Sequence, residues 1–582
     1  MSSLANPRSI GCNAAMHALS FQTPKSGAPG EIFGIDVAVL NFARNYCRYT
    51  QQDTIYVLPD RIESFETFIS LAAEAGIEAS RCVNLQGENA TLMAQIQSLF
   101  QPDPHALNYY WHRTTIPAPG YAICTLTHTM TGSDSCGVVS DYVTAPTQIG
   151  DALICPSRAI QKAVANLQEL YADYLSHRFG LSGDQKITCP VDLPVIPLAI
   201  ETQTFANRAT PDKRQAQRAA LNIADDEVVI FYYGRMSYYT KAHPLPIFLA
   251  AERAAQRLQA QGQKVRLVMM GFYSPPSVEA EFKALAQDIC QTVPVDFLHK
   301  DDPRFPDGFW AGADLFTSLI DNYQESFGLT PIEAMATSLP CVISDWDGYR
   351  DGVRHGVDGF LIPTAAPAMG NGVDIAYHFY NGGLGYSEYL ATSSQSVAVD
   401  IDSAVAAFVF LATNPDKRRQ MGDAARRRAQ EVYDWKQIIP QYEALWTEQF
   451  EKRRRFHKPA LPWPWPAVHR SFPDPYAMFD SFPTVILDKQ QQIILTGGAD
   501  DVERLLRHRM NFYAPGFLLP IQQMVALMAW IGQHPGCTIG EAQQQVGDDL
   551  RTHFHRSVGW MMKNGLIAFA TPLLPKDHQA AA

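Results

Sequence analysis

The chain holds 582 residues, 46% hydrophobic and 18% charged, with 47 Lys and Arg against 59 Asp and Glu and a formal net charge of −12. That composition excludes a wholly disordered chain, and the acidic balance argues against a non-specific nucleic-acid binder. No run reaches the ~20 apolar residues of a membrane span, since the richest, Phe517 to Ile531, is broken by Pro520, Gln522 and Gln523. The stretch MSSLANPRSIGCNAAMHALSF lacks a basic start followed by an apolar region, so no secretory signal is expected. Ten scattered cysteines form no CxxC and no zinc spacing, which predicts reduced thiols, a cytoplasmic setting and no structural metal.

In chain order, short apolar runs alternate with amphipathic stretches. Strands are predicted at Met16–Phe21 and Thr54–Leu58, with helices at Ile35–Tyr49 and Ile62–Ala75. Further strands are predicted at Tyr121–Thr127, Ala152–Cys155 and Pro194–Pro197. A second unit with the same alternation begins near Asp226. It has strands at Val228–Tyr232, Val265–Met270, Val295–Phe297, Leu315–Ser318 and Cys341–Ser344, and helices at Ala251–Gln261 and Glu279–Cys290. This grammar predicts an α/β chain of two Rossmann-like domains facing a cleft, with ligands at the carboxyl ends of the strands.

Residues 364–400, rich in Gly, Ser, Thr and Tyr, read as an inserted loop or short-element segment. After residue 456 six prolines fall in 17 residues, which excludes a helix and predicts a linker carrying Trp463 and Trp465. The predicted divisions are 1–205, 206–435, a crossing helix 436–456, a linker 457–475 and a small accessory domain 476–582. The order of elements in the last piece, Leu519–Gln533, CTIGEAQQQV, Thr552–Lys563 and Gly565–Phe569, predicts a mostly helical, winged-helix-like unit.

Chemistry concentrates in Asp321–Pro363. Glu325 and Glu333 stand eight residues apart, with Gly328 and Pro331 between them. Pro331 suits the first position of a helix running to Ser338, and the free amides near Phe327, Gly328, Leu329 and Thr330 then form an anion site. Helical rise separates the two carboxylates by roughly 10 Å or more. Carboxylate, amide nest, carboxylate is the order that a sugar, a diphosphate and a ribose require, because carboxylates accept strongly from hydroxyls. Thr330-Pro-Ile-Glu333 also reads as a capping box with no catalytic content. Arg235 and Lys241 follow Gly234 just after a strand, placed to neutralise a diphosphate or to serve as solvated surface cations.

With these residues on view, the chain resembles the family 4 retaining glycosyltransferases of the GT-B fold over roughly residues 16–450. The resemblance runs through Gly34-Ile-Asp-Val, ICPSRAIQKAV, VIPLAIETQTF, GRMSYYTK, LVMMGFY, the Glu325–Glu333 pair, DGYRDGVRHGVDGFLIP and YDWKQIIPQYEALW. It implies that Arg235 and Lys241 bind a donor diphosphate and that Glu333 binds ribose hydroxyls. Glu325 then sits at the transferred sugar, and the backbone at Phe327, Gly328, Leu329 and Thr330 holds sugar and phosphate. Gly34 lets the first loop approach, and His128 in THTMTG is the active-site histidine.

The chain departs from the pattern in three places. The Arg–Lys spacing is six rather than five, with Ala242 in a glycine's place; Asp351 replaces a glutamate; and Gly34 stands without a second glycine. The implied activity is retaining transfer of a sugar from a UDP- or GDP-type sugar nucleotide to a hydroxyl of a glycan, lipid-linked or other acceptor. No cofactor, no metal and no nucleic-acid partner are expected. The basic clusters Lys417–Arg419, Arg426–Arg428 and Lys452–Arg455 suggest peripheral contact with the inner face of a membrane. The competing reading is a degenerate GT-B scaffold that binds a partner through its C-terminal module.

Overall fold

The computed structural model describes residues 16–23, 34–457, 467–469 and 471–571. The chain divides into two units at Pro462/Trp463.

The first lobe of unit one runs β1 (His17–Phe21), α1 (Gly34–Tyr49), β2 (Ile55–Pro59), α2 (Ile62–Glu74), β3 (Cys82–Asn84), β4 (Ser98–Gln101), α3 (Leu107–Arg113), β5 (Ala122–Leu126), α4 (Ser133–Asp141), β6 (Ala152–Ile154) and α5 (Arg158–Arg178). Its six strands are all parallel, in the order β3-β2-β1-β4-β5-β6. Every residue of β1, β4, β5 and β6 is buried, as a sheet covered on both faces requires. Pro194–Pro197 is not a strand. It touches β6 through a single bridge, Cys155 to Val195, because its flanking prolines cannot donate to a ladder.

Two short helices, α6 (Thr202–Ala206) and α7 (Pro211–Ala220), lead into the second lobe. The Thr210 side chain caps α7 and Pro211 opens it. The lobe continues with β7 (Val228–Met236), α8 (Leu245–Gln259), β8 (Val265–Tyr273), α9 (Val278–Ile289), β9 (Val295–His299), β10 (Leu315–Ser318), α10 (Leu329–Ala336), β11 (Cys341–Ser344), α11 (Tyr349–Gly352) and β12 (Gly359–Ile362). Its parallel sheet has the order β12-β11-β10-β7-β8-β9, the same doubly wound plan. Alternation along β7 feeds two cores: Val228, Ile230 and Tyr232 on one face, Val229 and Phe231 on the other.

The predicted loop at 364–400 is a built element. β13 (Thr364–Ala365) and β14 (Ala398–Val399) pair at its base, and α12 (Val373–Tyr380) and α13 (Tyr386–Ser394) stand between them. α14 (Ile401–Thr413) and α15 (Pro415–Val432) complete the second lobe. α16 (Trp435–Phe456), capped by Asp434, then returns to the first lobe and buries Trp435, Ile438, Tyr442 and Trp446 in its core. The two crossings between lobes run side by side, bridged at Ile200 and Asp434.

Unit two holds β15 (Ala467–His469), β16 (Phe472–Pro473), α17 (Pro475–Met478), β17 (Gln492–Leu495), α18 (Ala499–Leu506), α19 (Ile521–Gln533), β18 (Cys537–Thr538), α20 (Ile539–Gln543), α21 (Arg551–Lys563) and β19 (Ile567–Phe569). Its α19–α21 helices and antiparallel β18-β17-β19 sheet enclose one core, the winged-helix-like arrangement expected. The residues Trp463 and Trp465 lie outside the described residues. Among the described residues no single helix is long and apolar enough to cross a membrane.

The basic clusters are largely consumed by internal bonding. Arg418 donates to the Leu411 carbonyl, Arg428 to the carbonyls of Asp351 and Gly352, Arg453 to Gln148, and Lys452 to Asp192.

Candidate active site

The site gathers at the carboxyl ends of β7 and β10 and at the start of α10. Gly328 precedes α10 with φ +92°, and a Cβ there would lie 2.0 Å from the Tyr349 ring. Only glycine tolerates both demands. α10 begins at Leu329, so Pro331 is its third residue rather than its first. It is tolerated because the first four helical N–H groups have no intrahelical acceptor. The helix ends at Ala336, short of Ser338, which has φ +66°. Thr330 lies inside the helix and makes no cap bond, so the alternative capping box with Glu333 does not form.

Lys241 forms an ion pair with Glu325. Burial alone would raise the Glu325 carboxyl, but the Lys241 charge and hydrogen bond outweigh it and hold the group below its ordinary range. Lys241 is correspondingly raised, burial opposing the Glu325 attraction. Arg235 donates from Nη2 to the Gln324 side-chain oxygen at 2.9 Å and to the Thr240 carbonyl at 3.0 Å. The six-residue spacing therefore still delivers both cations to adjacent residues, Gln324 and Glu325. A turn in which the amides of Lys241 and Ala242 both donate to the Ser237 carbonyl absorbs the extra residue.

Glu333 makes no ion pair with any described residue, and burial raises its pKa to about 7 against the partial offset of Arg208 and Lys241. A half-buried carboxylate without an ion-pair partner, near Lys241, which Glu325 holds, and Arg208, which stacks on Phe205, suits a hydroxyl-bearing ligand. Phe327 turns its ring into the core against Tyr433 at 5.9 Å, which leaves only its backbone for a ligand. Leu329 is partly exposed and lines a cavity of about 40 Å³ that it shares with His128, Phe42, Trp435 and Tyr442. His128 thus comes from the first lobe to the mouth of α10. Its Nε2 donates to the Pro102 carbonyl at 2.9 Å, and burial keeps the ring below its usual pKa, hence neutral. Gly34 opens α1, whose Ala38 and Val39 line the same cavity, while the Gly/Pro-rich segment 24–33 lies outside the described residues.

The sequence reading missed several residues of this cluster. Asp347 has φ +43°, and its carboxyl accepts from Ser157 of the first lobe at 3.4 Å. Burial and then the Glu325 charge push it up to about 8. Asp321, accepting from the His243 amide at 3.1 Å, is raised by burial to about 7. Asp351, noted only as a departure, accepts from the Arg158 amide at the start of α5 and joins the lobes, as does the 2.8 Å bond from Ser157 to the Ser326 carbonyl. Only Asp351 left a trace in the sequence, as the aspartate in a glutamate's place. Among the described residues no group of three or more His, Cys, Asp or Glu is placed to hold a metal.

Residues 213–375 match the model of the family described as glycosyl transferases group 1. The matched segment, which spans most of the second lobe, is similar to that family. That matched segment contains Arg235, Lys241, Glu325 and Glu333. Curated relatives named D-inositol 3-phosphate glycosyltransferase match from Geodermatophilus obscurus at 30% identity over 30% of this chain and 37% of the relative. One from Kribbella flavida matches at 27% over 41% and 47%. The chain thus spans about a third to a half of the length of these relatives. Among solved structures, a glycosyltransferase from Rickettsia africae matches at TM-score 0.47 and 12% identity, covering 75% of this chain and 99% of the other. Anabaena HepE in complex with UDP and glucose matches at TM-score 0.43 and 16% identity, covering 74% and 100%.

Proposed function

We propose that the protein is a metal-independent retaining glycosyltransferase that moves a sugar from a nucleotide sugar to an acceptor hydroxyl in glycan or polysaccharide synthesis. The observation that carries this reading is the Lys241–Glu325 pair beside Arg235 at the start of α10, with Glu333 left unpaired. Without donor, Lys241 and Glu325 neutralise each other. An arriving diphosphate competes for Lys241 and Arg235 and for the N-terminal amides of α10. Glu333 then accepts from ribose hydroxyls, and Glu325, freed from Lys241, accepts from the sugar's hydroxyls and stabilises positive charge at its anomeric carbon.

The bond from that carbon to the leaving phosphate oxygen breaks as the acceptor oxygen attacks from the same face. The acceptor proton passes to the departing oxygen, leaving glycoside and nucleoside diphosphate. Arg235 and Lys241 supply the charge stabilisation that a metal gives elsewhere. Neutral His128 lines the sugar side. The nine unpaired cysteines of the described residues support a reducing, cytoplasmic setting. A calorimetric screen of UDP, GDP and ADP and their sugars, with magnesium and with EDTA, tests the reading. Saturable binding of one nucleotide in EDTA is expected, and binding of none would overturn it.

A further inference from the structure

The insert between β12 and α14 is the one built element of the two lobes that this reading leaves unused. Pairing of Thr364 with Val399 closes its base on the second lobe, and stacking of Phe379 on Tyr389 at 4.4 Å holds α12 to α13. Tyr386 is the first residue of α13. Its position is set by the preceding Gly385 amide, which donates to Glu388 at 2.8 Å.

From there the Tyr386 hydroxyl meets both lobes. It lies 2.8 Å from Thr131 Oγ1, on the first-lobe loop three residues beyond His128. On the other side the Gln324 side-chain amide donates to it over a long 3.5 Å. The other end of Gln324 accepts from Arg235, and Thr131 lies 2.9 Å from Thr129 Oγ1. The donor sense is consistent throughout: Arg235 gives to Gln324, Gln324 to Tyr386, Tyr386 to Thr131, and Thr131 to Thr129. A hydroxyl carries one proton and two lone pairs, so Tyr386 and Thr131 can each accept once and give once between the Gln324 amide and Thr129. The interlobe bonds from Ser157 to Ser326 and Asp347 and from Arg158 to Asp351 come from the start of α5 rather than from the His128–Thr131 loop.

We propose that Tyr386 is a positioning residue, a clasp that holds the His128–Thr131 loop of the first lobe over Gln324 and Glu325 of the second. Lobe closure depends on it, while the nucleotide, held by second-lobe groups, does not. The inference rests on the glycosyltransferase reading for its kinetic consequence, and on geometry alone for the clasp.

The test compares the full chain with Tyr386→Phe, Thr131→Val and the double variant. Amide exchange is expected to quicken at residues 127–133 and 322–326 in each variant and to stay unchanged along β7 and α16. Release of nucleoside diphosphate from the tightest-binding sugar nucleotide of the screen is expected to slow about five-fold, the worth of one net hydrogen bond. The calorimetric affinity for the nucleoside diphosphate stays at the wild-type value. The double variant is expected to lose about five-fold as well, because both changes cut the same bond. Unchanged exchange at both segments would overturn the clasp. So would nucleotide affinity that falls in step with turnover, since that marks a general structural defect, or a multiplied loss in the double variant. Should Tyr386→Phe fail to fold, Thr131→Val cuts the bond from the other lobe and carries the same expectations. If the wild-type chain binds none of the nucleotides, the transferase reading fails while the exchange comparison still decides the clasp.

Discussion

The two lobes share one plan, six parallel strands wound in the same order, yet their cleft faces are chemically unlike. The second lobe presents Arg235, Lys241, Glu325, Glu333 and Asp347, all buried or half-buried and four of them with displaced pKa values. The first presents a neutral histidine, the hydroxyls of Thr129, Thr131 and Ser157, and apolar α1. The fold alone therefore does not say which side does the electrostatic work. What distinguishes the second lobe is a glycine at φ +92° that precedes a helix, just after the residues Gln324 and Glu325 that hold two cations.

The largest expected effect lies at Glu325. Glu325→Gln should lower transfer by about 10³-fold or more while calorimetric nucleotide affinity stays within about three-fold; equal loss of both would remove Glu325 from the sugar. Arg235→Ala should lower kcat/KM by about 10²-fold by withdrawing one charge from the leaving group.

Glu333→Gln should weaken nucleotide binding by about ten-fold, the worth of a charged hydrogen bond. It should also abolish a pH dependence. With a pKa of about 7, Glu333 gains its charge as pH rises through neutrality, so wild-type affinity should rise from pH 6 to 8 and the variant's should stay flat.

Stability should run the other way. In the free protein Asp321, Glu333 and Asp347 have folded pKa values raised to about 7, 7 and 8. Each therefore contributes stability that is fully present below its ordinary value and is lost as pH rises through the folded one. Melting temperature should fall between about pH 4 and 8 from these groups, and Asp347→Asn should flatten the upper part of that slope.

The smallest changes come from outside the charged face. His128→Ala should cost about ten-fold in kcat with nucleotide affinity intact, because His128 comes from the first lobe, on the proposed sugar side and away from the cations of the second. Deleting residues 463–582 should leave nucleotide affinity unchanged, because every residue of the proposed donor site belongs to unit one.

The lobes were legible where strands carry apolar runs between helical stretches. The buried start of β7 (Val228–Phe231) and the middle of β8 (Leu267–Met270), with Val342 and Ile343 of β11, are runs of Val, Ile, Leu, Phe and Met, a pattern that burial on both faces imposes. β3 and β4 escaped notice: Cys82–Asn84 is a half-buried three-residue edge, and Ser98–Gln101 is polar at both ends. Pro194–Pro197 looked apolar enough for a strand, but its prolines limit it to one bridge. The insert looked like a loop because none of the described residues of α12 is buried, so no apolar stripe marks it.

The pairing of Glu325 and Glu333 about Gly328, and the two cations after a strand, could be read directly because they are local: a helix start, a turn and a strand end each have their own residue chemistry. Which groups are paired and which left alone was decided by the tertiary structure. Lys241 meets Glu325 across 84 residues, Ser157 meets Ser326 across 169, and Tyr386 meets Thr131 across 255. Desolvation and Coulomb interaction depend on distance in space and on exclusion of water. The raised carboxyls at Glu333, Asp321 and Asp347 therefore arise only once the chain has folded around them, and the bond from insert to first lobe only once both lobes are in place.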